Sequence, residues 1–265
     1  MRTLTMKKQE YLGDGRCLYC LNRFDNAELT DEHIIPTAIH GALLIKNGAC
    51  VTCARSTNKN FENQALNQDL LLPRLLLELK GRGKSGAPQD LRHLPAVYSG
   101  DTTMGNDGVR LLDFPISLYP KMFHLIQFPP AGVLSGTDRG DGIANFRLRF
   151  FDAGGPRLRS ATVKSAHTNG PFAMMIAKIA YCYAVAKVSL DGFDGTAIRD
   201  VISEKRKDVY NFVGSTKKPV PLTNREIHSL HLRRQKGYLI VLVNLFASMA
   251  KRGEPVHPYE VVVGT

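Results

Sequence analysis

Four of the five cysteines fall in two pairs of like spacing, Cys17-Leu18-Tyr19-Cys20 and Cys50-Val51-Thr52-Cys53, with 29 residues between them. Two thiolates at this spacing wrap one edge of a tetrahedral Zn2+, and a second pair closes the shell at about 2.3 Å per bond. With sulfur at all four positions the ion has no open site, so a zinc held this way is structural. Redox exchange is the competing chemistry for Cys-x-x-Cys, and the presence of a second pair argues against it. The fifth cysteine, Cys182, lies in an apolar helical pattern and belongs in a core. The interval between the pairs holds Thr30-Asp31-Glu32-His33-Ile34-Ile35-Pro36, with His40 before Gly41. A carboxylate is a hard oxygen ligand suited to Mg2+ or Mn2+. A neutral imidazole can take a proton from water near pH 7. An acid directly before a histidine, then Ile-Ile-Pro, suits a strand end that offers both groups to one point. An ordinary acidic turn is the plain alternative.

Taken in order, Cys17-x-x-Cys20, Asp31-Glu32-His33-Ile34-Ile35-Pro36, Cys50-x-x-Cys53 and Thr57-Asn58-x-x-Phe61-Glu62 resemble a zinc-ribbon HNH endonuclease over roughly residues 15–65. The resemblance implies a ββα-metal fold, in which a β-hairpin and a helix clasp one catalytic divalent cation, Mg2+ or Mn2+, while zinc holds the ends together. It also implies cleavage of DNA phosphodiester bonds. His33 matches the general base that activates water, and Glu32 matches the first metal ligand. Asp31, on the opposite side of a strand from Glu32, becomes a turn or supporting residue. The family's helix-borne ligand positions fall on Ala54 and Asn58, one turn apart. Alanine cannot bind metal, so Asn58 is the expected helix ligand, with Glu62 a weaker candidate one turn on. Asn47 is the nearest match to the asparagine that orients the histidine, though a turn residue in Lys46-Asn47-Gly48 reads equally well. His40 reads as a loop residue.

The elements that must position these groups give an α+β protein: an N-terminal zinc-stapled ββα-metal module over residues 1–80, a linker at 81–89, and a larger α+β domain over 90–265. A helix is expected over 57–72, broken at Pro73. The glycine-rich, basic stretch 81–88 lacks the spacing and preceding strand of a phosphate-binding loop and reads as the linker. Short strands are expected at 116–119, 123–128, 145–151 and 160–163, with a turn at 136–142. Phe146-Arg147-Leu148-Arg149-Phe150 alternates, which suits one face in a core and a basic face toward phosphates or simply toward water. Phe172, Ile176, Ile179, Tyr183 and Ala186 mark an amphipathic helix over 171–190 that packs on a sheet. A helix at 196–207, a hairpin of 226–232 and 237–246 joined by 233–236, and a last strand at 259–263 complete the pattern.

At 265 residues, 43% hydrophobic and 22% charged, the chain has the composition of a folded protein and not of a disordered one. The longest apolar run, 237–250, is interrupted by Asn244 and Ser248 and falls short of a membrane span. No apolar leader follows the basic N-terminus, so the expected address is cytoplasmic, in a bacterial or phage setting. Lys plus Arg outnumber Asp plus Glu by 35 to 24, a formal net charge of +11, with most of the excess after residue 100. Such an excess favours polyanions, DNA first, through phosphate contacts and counterion release. Arg157/Arg159, Lys205–Lys207, Lys217/Lys218 and Arg233–Lys236 are the clusters that would serve if they share a face. Three functions are compatible: a metal-dependent DNA endonuclease, a non-catalytic zinc-ribbon nucleic-acid binder whose site decayed with Ala54, and a toxin-like or assembly protein whose larger domain binds protein.

Overall fold

The computed structural model of the chain describes residues 5–79, 93–98, 110–115, 122–143, 146–152, 162–163, 169–221, 226–250 and 256–265. The chain opens with strand β1 (Gln9–Leu12), β2 (Leu29–His33) and β3 (Leu43–Cys50), in the sheet order β1-β3-β2. Strands β2 and β3 are antiparallel, and β1 runs parallel to β3. The register slips between Thr30 and Glu32, opposite the Asn47-Gly48 turn of the backbone, where Asn47 takes a φ of 50°. Gly41 sits where a Cβ would lie 2.1 Å from the Ile35 carbonyl oxygen, so this tight return after Ile34-Ile35 needs glycine.

Helix α1 (Val51–Thr57) starts directly at the second cysteine pair, six residues before the expected start. It runs on through a π-helical segment (Asn58–Glu62) into α2 (Asn63–Asn67). The break comes at Gln68–Leu70 and not at Pro73, which lies in the first turn of α3 (Leu71–Leu76), where its missing N–H breaks no helical bond. The expected linker at 81–89 lies outside the described residues. So do the expected strand at 116–119 and the pair Arg157/Arg159.

Strands β4 (His93–Tyr98) and β5 (Arg110–Pro115) pair with each other, and β4 also pairs with the short β8 (Thr162–Val163). Strands β6 (Met122–Gln127) and β7 (Arg147–Asp152) form an antiparallel ribbon, with the short α4 (Gly132–Ser135) between them in sequence. The alternation in β7 is real, but its sides are exchanged relative to expectation. Phe146, Leu148 and Phe150 face outward, Phe150 at 62% exposure. Arg149 turns inward, its guanidinium 4.6 Å from the Phe151 ring centre and 3.0 Å from Asn244 Oδ1. Phe151 stacks on Phe123 and meets Phe246 edge-on, which anchors the ribbon on the core through the opposite parity of residues.

Helix α5 (Asn169–Val188) is the centre of the protein. Sequence periodicity suggested an amphipathic helix, but Phe172, Ala173, Met175, Ile176, Ala177, Ile179, Ala180, Tyr181, Cys182 and Ala184 are all fully buried. Burial all round is the property of a core helix. Its length and composition would suffice to cross a membrane, but it is mostly enclosed by the protein. One side packs on an antiparallel sheet of order β10 (Ser229–Gln235), β11 (Tyr238–Asn244), β12 (Tyr259–Gly264) and β9 (Val213–Ser215). The other side packs on the π-helical segment and α2. Helices α6 (Thr196–Ile202) and α7 (Val209–Phe212) flank it, and strand β9 (Val213–Ser215) follows. Helix α6 stops five residues before its expected end. Glu204 takes a φ of 59°, and the Lys205 and Arg206 amides return to the Asp200 carbonyl.

Strands β10 (Ser229–Gln235) and β11 (Tyr238–Asn244) form the expected hairpin. Its turn is Lys236-Gly237, not 233–236, with φ of 53° and 80°, the two left-handed residues that a tight hairpin turn requires. Strand β12 (Tyr259–Gly264) lies between β11 and β9. Residues of the N-terminal segment and of the larger C-terminal part belong to one buried hydrophobic cluster.

Candidate functional site

The first cysteine pair sits in a loop closed by an Arg16–Arg23 bridge, with Cys17 N–H bonded to the Asn22 carbonyl and Leu21 N–H to the Cys17 carbonyl. Leu18 N–H reaches the Gly48 carbonyl, so β3 fixes the loop beside the second pair. Cys50 ends β3 and caps α1, and Cys53 lies in that helix's first turn. The four sulfurs lie within 4.8 Å of one another. Burial holds the Cys17 and Cys53 thiols above their ordinary pKa, and the neighbouring sulfurs push Cys53 further in the same direction. Four sulfurs this close together, two of them buried, cannot all ionise without a cation among them. The donor set therefore fits a structural, thiophilic metal such as zinc.

Residues 17–70 match the HNH endonuclease family model. No curated protein and no solved structure matches the chain. The HNH segment thus covers the two cysteine pairs, β2, β3 and the helix that follows, and the larger α+β part lies beyond it.

Within the HNH segment, β2 separates the residues that the sequence reading brought together. Glu32 points inward at 6% exposure, whereas Asp31 is exposed and His33 half-buried. Strand alternation puts Asp31 and His33 on one side and Glu32 on the other. The Asp31 carboxylate accepts from Lys46 Nζ at 2.8 Å and from the Asn47 amide at 3.2 Å. Lys46 first, and His33 among the lesser contributors, hold the Asp31 carboxyl below the usual range. Asn47 thus braces Asp31 across the bulge. His40 is a loop residue with a φ of 63°.

Glu32 meets groups that sequence reasoning did not connect to it. Lys178 of α5, at 1% exposure, places Nζ 2.5 Å from Glu32 Oε1, 3.0 Å from Glu62 Oε1 and 2.5 Å from the His33 carbonyl oxygen. Tyr19, inside the first cysteine pair, hydrogen-bonds Glu32 and lies 3.5 Å from Cys182 Sγ. Burial disfavours the Lys178 charge, but Glu32 and Glu62 more than reverse that, so the ammonium stays protonated. Burial, with repulsion from Glu62, raises the Glu32 carboxyl despite Lys178. The sequence signal for Lys178 was a cation in the middle of an otherwise apolar helical run, whose other lysine, Lys187, lies at its end.

Asn58 is exposed at the end of α1, while Glu62 is the helix residue that joins Glu32. The reason is local: Asn63 N–H bonds to the Asn58 carbonyl, an i→i+5 turn. In a π turn, residues four apart no longer stack on one face. The position after Cys53 is Ala54, and the Glu32 and Glu62 carboxylates already share an ammonium. The residues present do not fit an oxygen-ligated Mg2+ or Mn2+ ion at Glu32. Among the described residues, the cysteine cluster alone brings three or more Cys, His, Asp or Glu ligand atoms together.

The loop that follows β2 is pinned from the larger domain by His228. Its buried ring accepts the Phe246 N–H at Nδ1 (3.2 Å) and donates from Nε2 to the Ile39 carbonyl (2.6 Å). Desolvation drops its pKa to about 4. An unfolded histidine titrates near 6.5, so the unfolded chain takes up the proton first as pH falls. The stability that neutral His228 contributes is complete above about pH 6.5 and is lost progressively toward pH 4. The loss specific to this ring is of the order of 3 kcal/mol. Urea unfolding at pH 7 and pH 4.5 checks it: wild type should lose more stability across that interval than His228→Gln, and equal losses would refute the assignment.

Several basic clusters are spoken for within the protein. Arg206 pairs with Asp208 at 2.6 Å, and Arg233 turns inward to Glu260. Arg234 donates to the Gly192 carbonyl at 3.2 Å. Lys217 and Lys218 are exposed, as are Arg55 and Lys59 on the HNH helix.

Proposed function

We propose that the chain acts on DNA as an HNH-type nuclease, with His33 as the general base that takes a proton from the water attacking a phosphodiester. The observation that supports this most is the placement of His33. It is half-buried at the end of β2, with its backbone held by Lys178 while its side chain lies on the less buried side. A fixed backbone under a partly accessible imidazole is what a positioned base needs. Arg55 and Lys59, one turn apart and exposed on the same segment, supply positive charge for backbone phosphates. Zinc on Cys17, Cys20, Cys50 and Cys53 keeps strand and helix in register. The divalent ion that the resemblance implies on Glu32 and Asn58 carries no step of this reading, because one side chain is buried against Lys178 and the other is exposed.

Supercoiled plasmid incubated with zinc-loaded protein, in Mg2+, in Mn2+ and in a chelator of both, tests the reading. Nicked or linear product supports it, and the metal arm tells whether added ions matter.

Ala54 and the Lys178 contact favour a second reading, a zinc-ribbon module that binds nucleic acid without cutting it. It requires salt-sensitive plasmid binding with no product in any arm.

A further inference from the structure

The Lys178 ammonium meets three oxygens: it donates to the backbone carbonyl of His33 and pairs with one oxygen from each carboxylate, that of Glu62 at 3.0 Å as an ion pair without a hydrogen bond. That is an oxygen cradle around a point of positive charge. Nothing in the HNH segment itself supplies this charge, since Lys178 lies 108 residues beyond residue 70, where the family match ends.

The helix that delivers the ammonium is clamped on both sides. Lys178, Tyr181 and Cys182 stand at i, i+3 and i+4, one face of α5. Tyr181 donates its hydroxyl to the Leu18 carbonyl at 2.7 Å, and Cys182 meets Tyr19. Both partners lie inside the first cysteine pair, so the metal-binding loop fixes the depth at which Nζ enters. The opposite face of α5 packs on β11 and β12. Withdrawing the ammonium would mean moving a core helix whose neighbouring residues Ala177 and Ile179 are fully buried.

We propose that the Lys178 ammonium is the built-in cation of the Glu32–Glu62 pair, filling from α5 the place a divalent ion would otherwise take between those carboxylates. The acid pair is then a permanent feature of the fold and not a site that loads metal. Lys178 is a positioning residue: it neutralises one of the two acids, tethers the His33 carbonyl and joins the HNH segment to the larger domain. The inference is independent of whether the chain cuts DNA, because none of its tests reads cleavage.

Mn2+ is the probe, added to zinc-loaded full chain so that the cysteine cluster is already filled. Its binding is followed by the loss of the free-ion paramagnetic resonance signal. Wild type should bind no Mn2+ that depends on Glu62, so Glu62→Gln should leave its Mn2+ titration unchanged. Lys178→Met leaves two acids without their cation. It should lower Tm on the order of 10 °C, take up one Mn2+ per chain, and regain part of the lost Tm when Mn2+ is present. Adding Glu62→Gln to that variant should remove both the uptake and the recovery. Wild-type Mn2+ binding that Glu62→Gln abolishes would overturn the proposal, and this comparison holds even where Lys178→Met does not fold. A folded Lys178→Met protein that ignores Mn2+ would also overturn it, by reducing Lys178 to an ordinary ion-pair partner.

Discussion

Removing the metal expected on Cys17, Cys20, Cys50 and Cys53 should unfold the N-terminal segment while leaving the central sheet largely protected. Structural zinc in small domains is worth about 10–16 kcal/mol at neutral pH, as much as or more than the whole stability of a typical domain. Strand β1 is mostly exposed, α1 is two turns long, and Cys17 and Cys50 are themselves part of the buried cluster. The loss would spread to α5, where Tyr181 gives up the Leu18 carbonyl and Lys178 its two acids. It should stop at the β11–β12 pairing, whose strand residues are almost all buried and bonded to each other. Hydrogen exchange after chelation, or in Cys50→Ser, is the measurement. Early exchange over residues 9–67 with protection retained over 239–243 is expected. A protein stripped of zinc by the chelator, yet unchanged in Tm and exchange pattern, would show that the cysteines hold no structural metal.

The parts of this structure that were legible in the sequence are those whose chemistry is local. Cys-x-x-Cys spacing dictates a clamp whatever surrounds it, and the four sulfurs do converge. The 229–244 hairpin was readable from its apolar runs, although the turn, with Lys236 at positive φ, falls at Lys236-Gly237, the far end of the basic stretch expected to form it. What was not legible depends on what lies opposite. Alternation in β7 defines two faces, but nothing within Phe146–Phe151 says that the core partner, Phe246, would select Phe151 and Arg149 for the inside. Likewise a helix periodicity cannot tell one covered face from two, and α5 is covered on both. The same limit hid the partner of Glu32. Its carboxylate answers to a lysine 146 residues away, and the resemblance's helix positions pointed first to Asn58, one turn after Ala54, whereas Glu62, the weaker candidate beyond the π turn, is the residue that arrives.

His33→Ala should reduce plasmid cleavage by roughly 10²–10⁴-fold, the span a positioned general base contributes, with little change in fold, zinc content or DNA affinity. The structure separates these readouts because the two halves of the residue do different things. The backbone carbonyl accepts from Lys178 Nζ, and alanine keeps that carbonyl. The strand is further held by Ile34 and Ile35, both fully buried, and by pairing of His33 with Leu44 on β3. What the substitution removes is a half-buried imidazole beside Asp31. A loss of cleavage accompanied by a fall in Tm would instead point to a packing role and leave the base unassigned to His33. Asp31→Asn, which weakens the Lys46 pair at the same strand end, should reproduce only a small part of the loss, because Asp31 braces the bulge and does not take the proton. A His33→Ala protein that cuts at the wild-type rate would place the base elsewhere in the HNH segment. If wild type binds plasmid but neither protein cuts, Ala54 and the Lys178-filled acid pair become the physical account of a nuclease scaffold retained for binding.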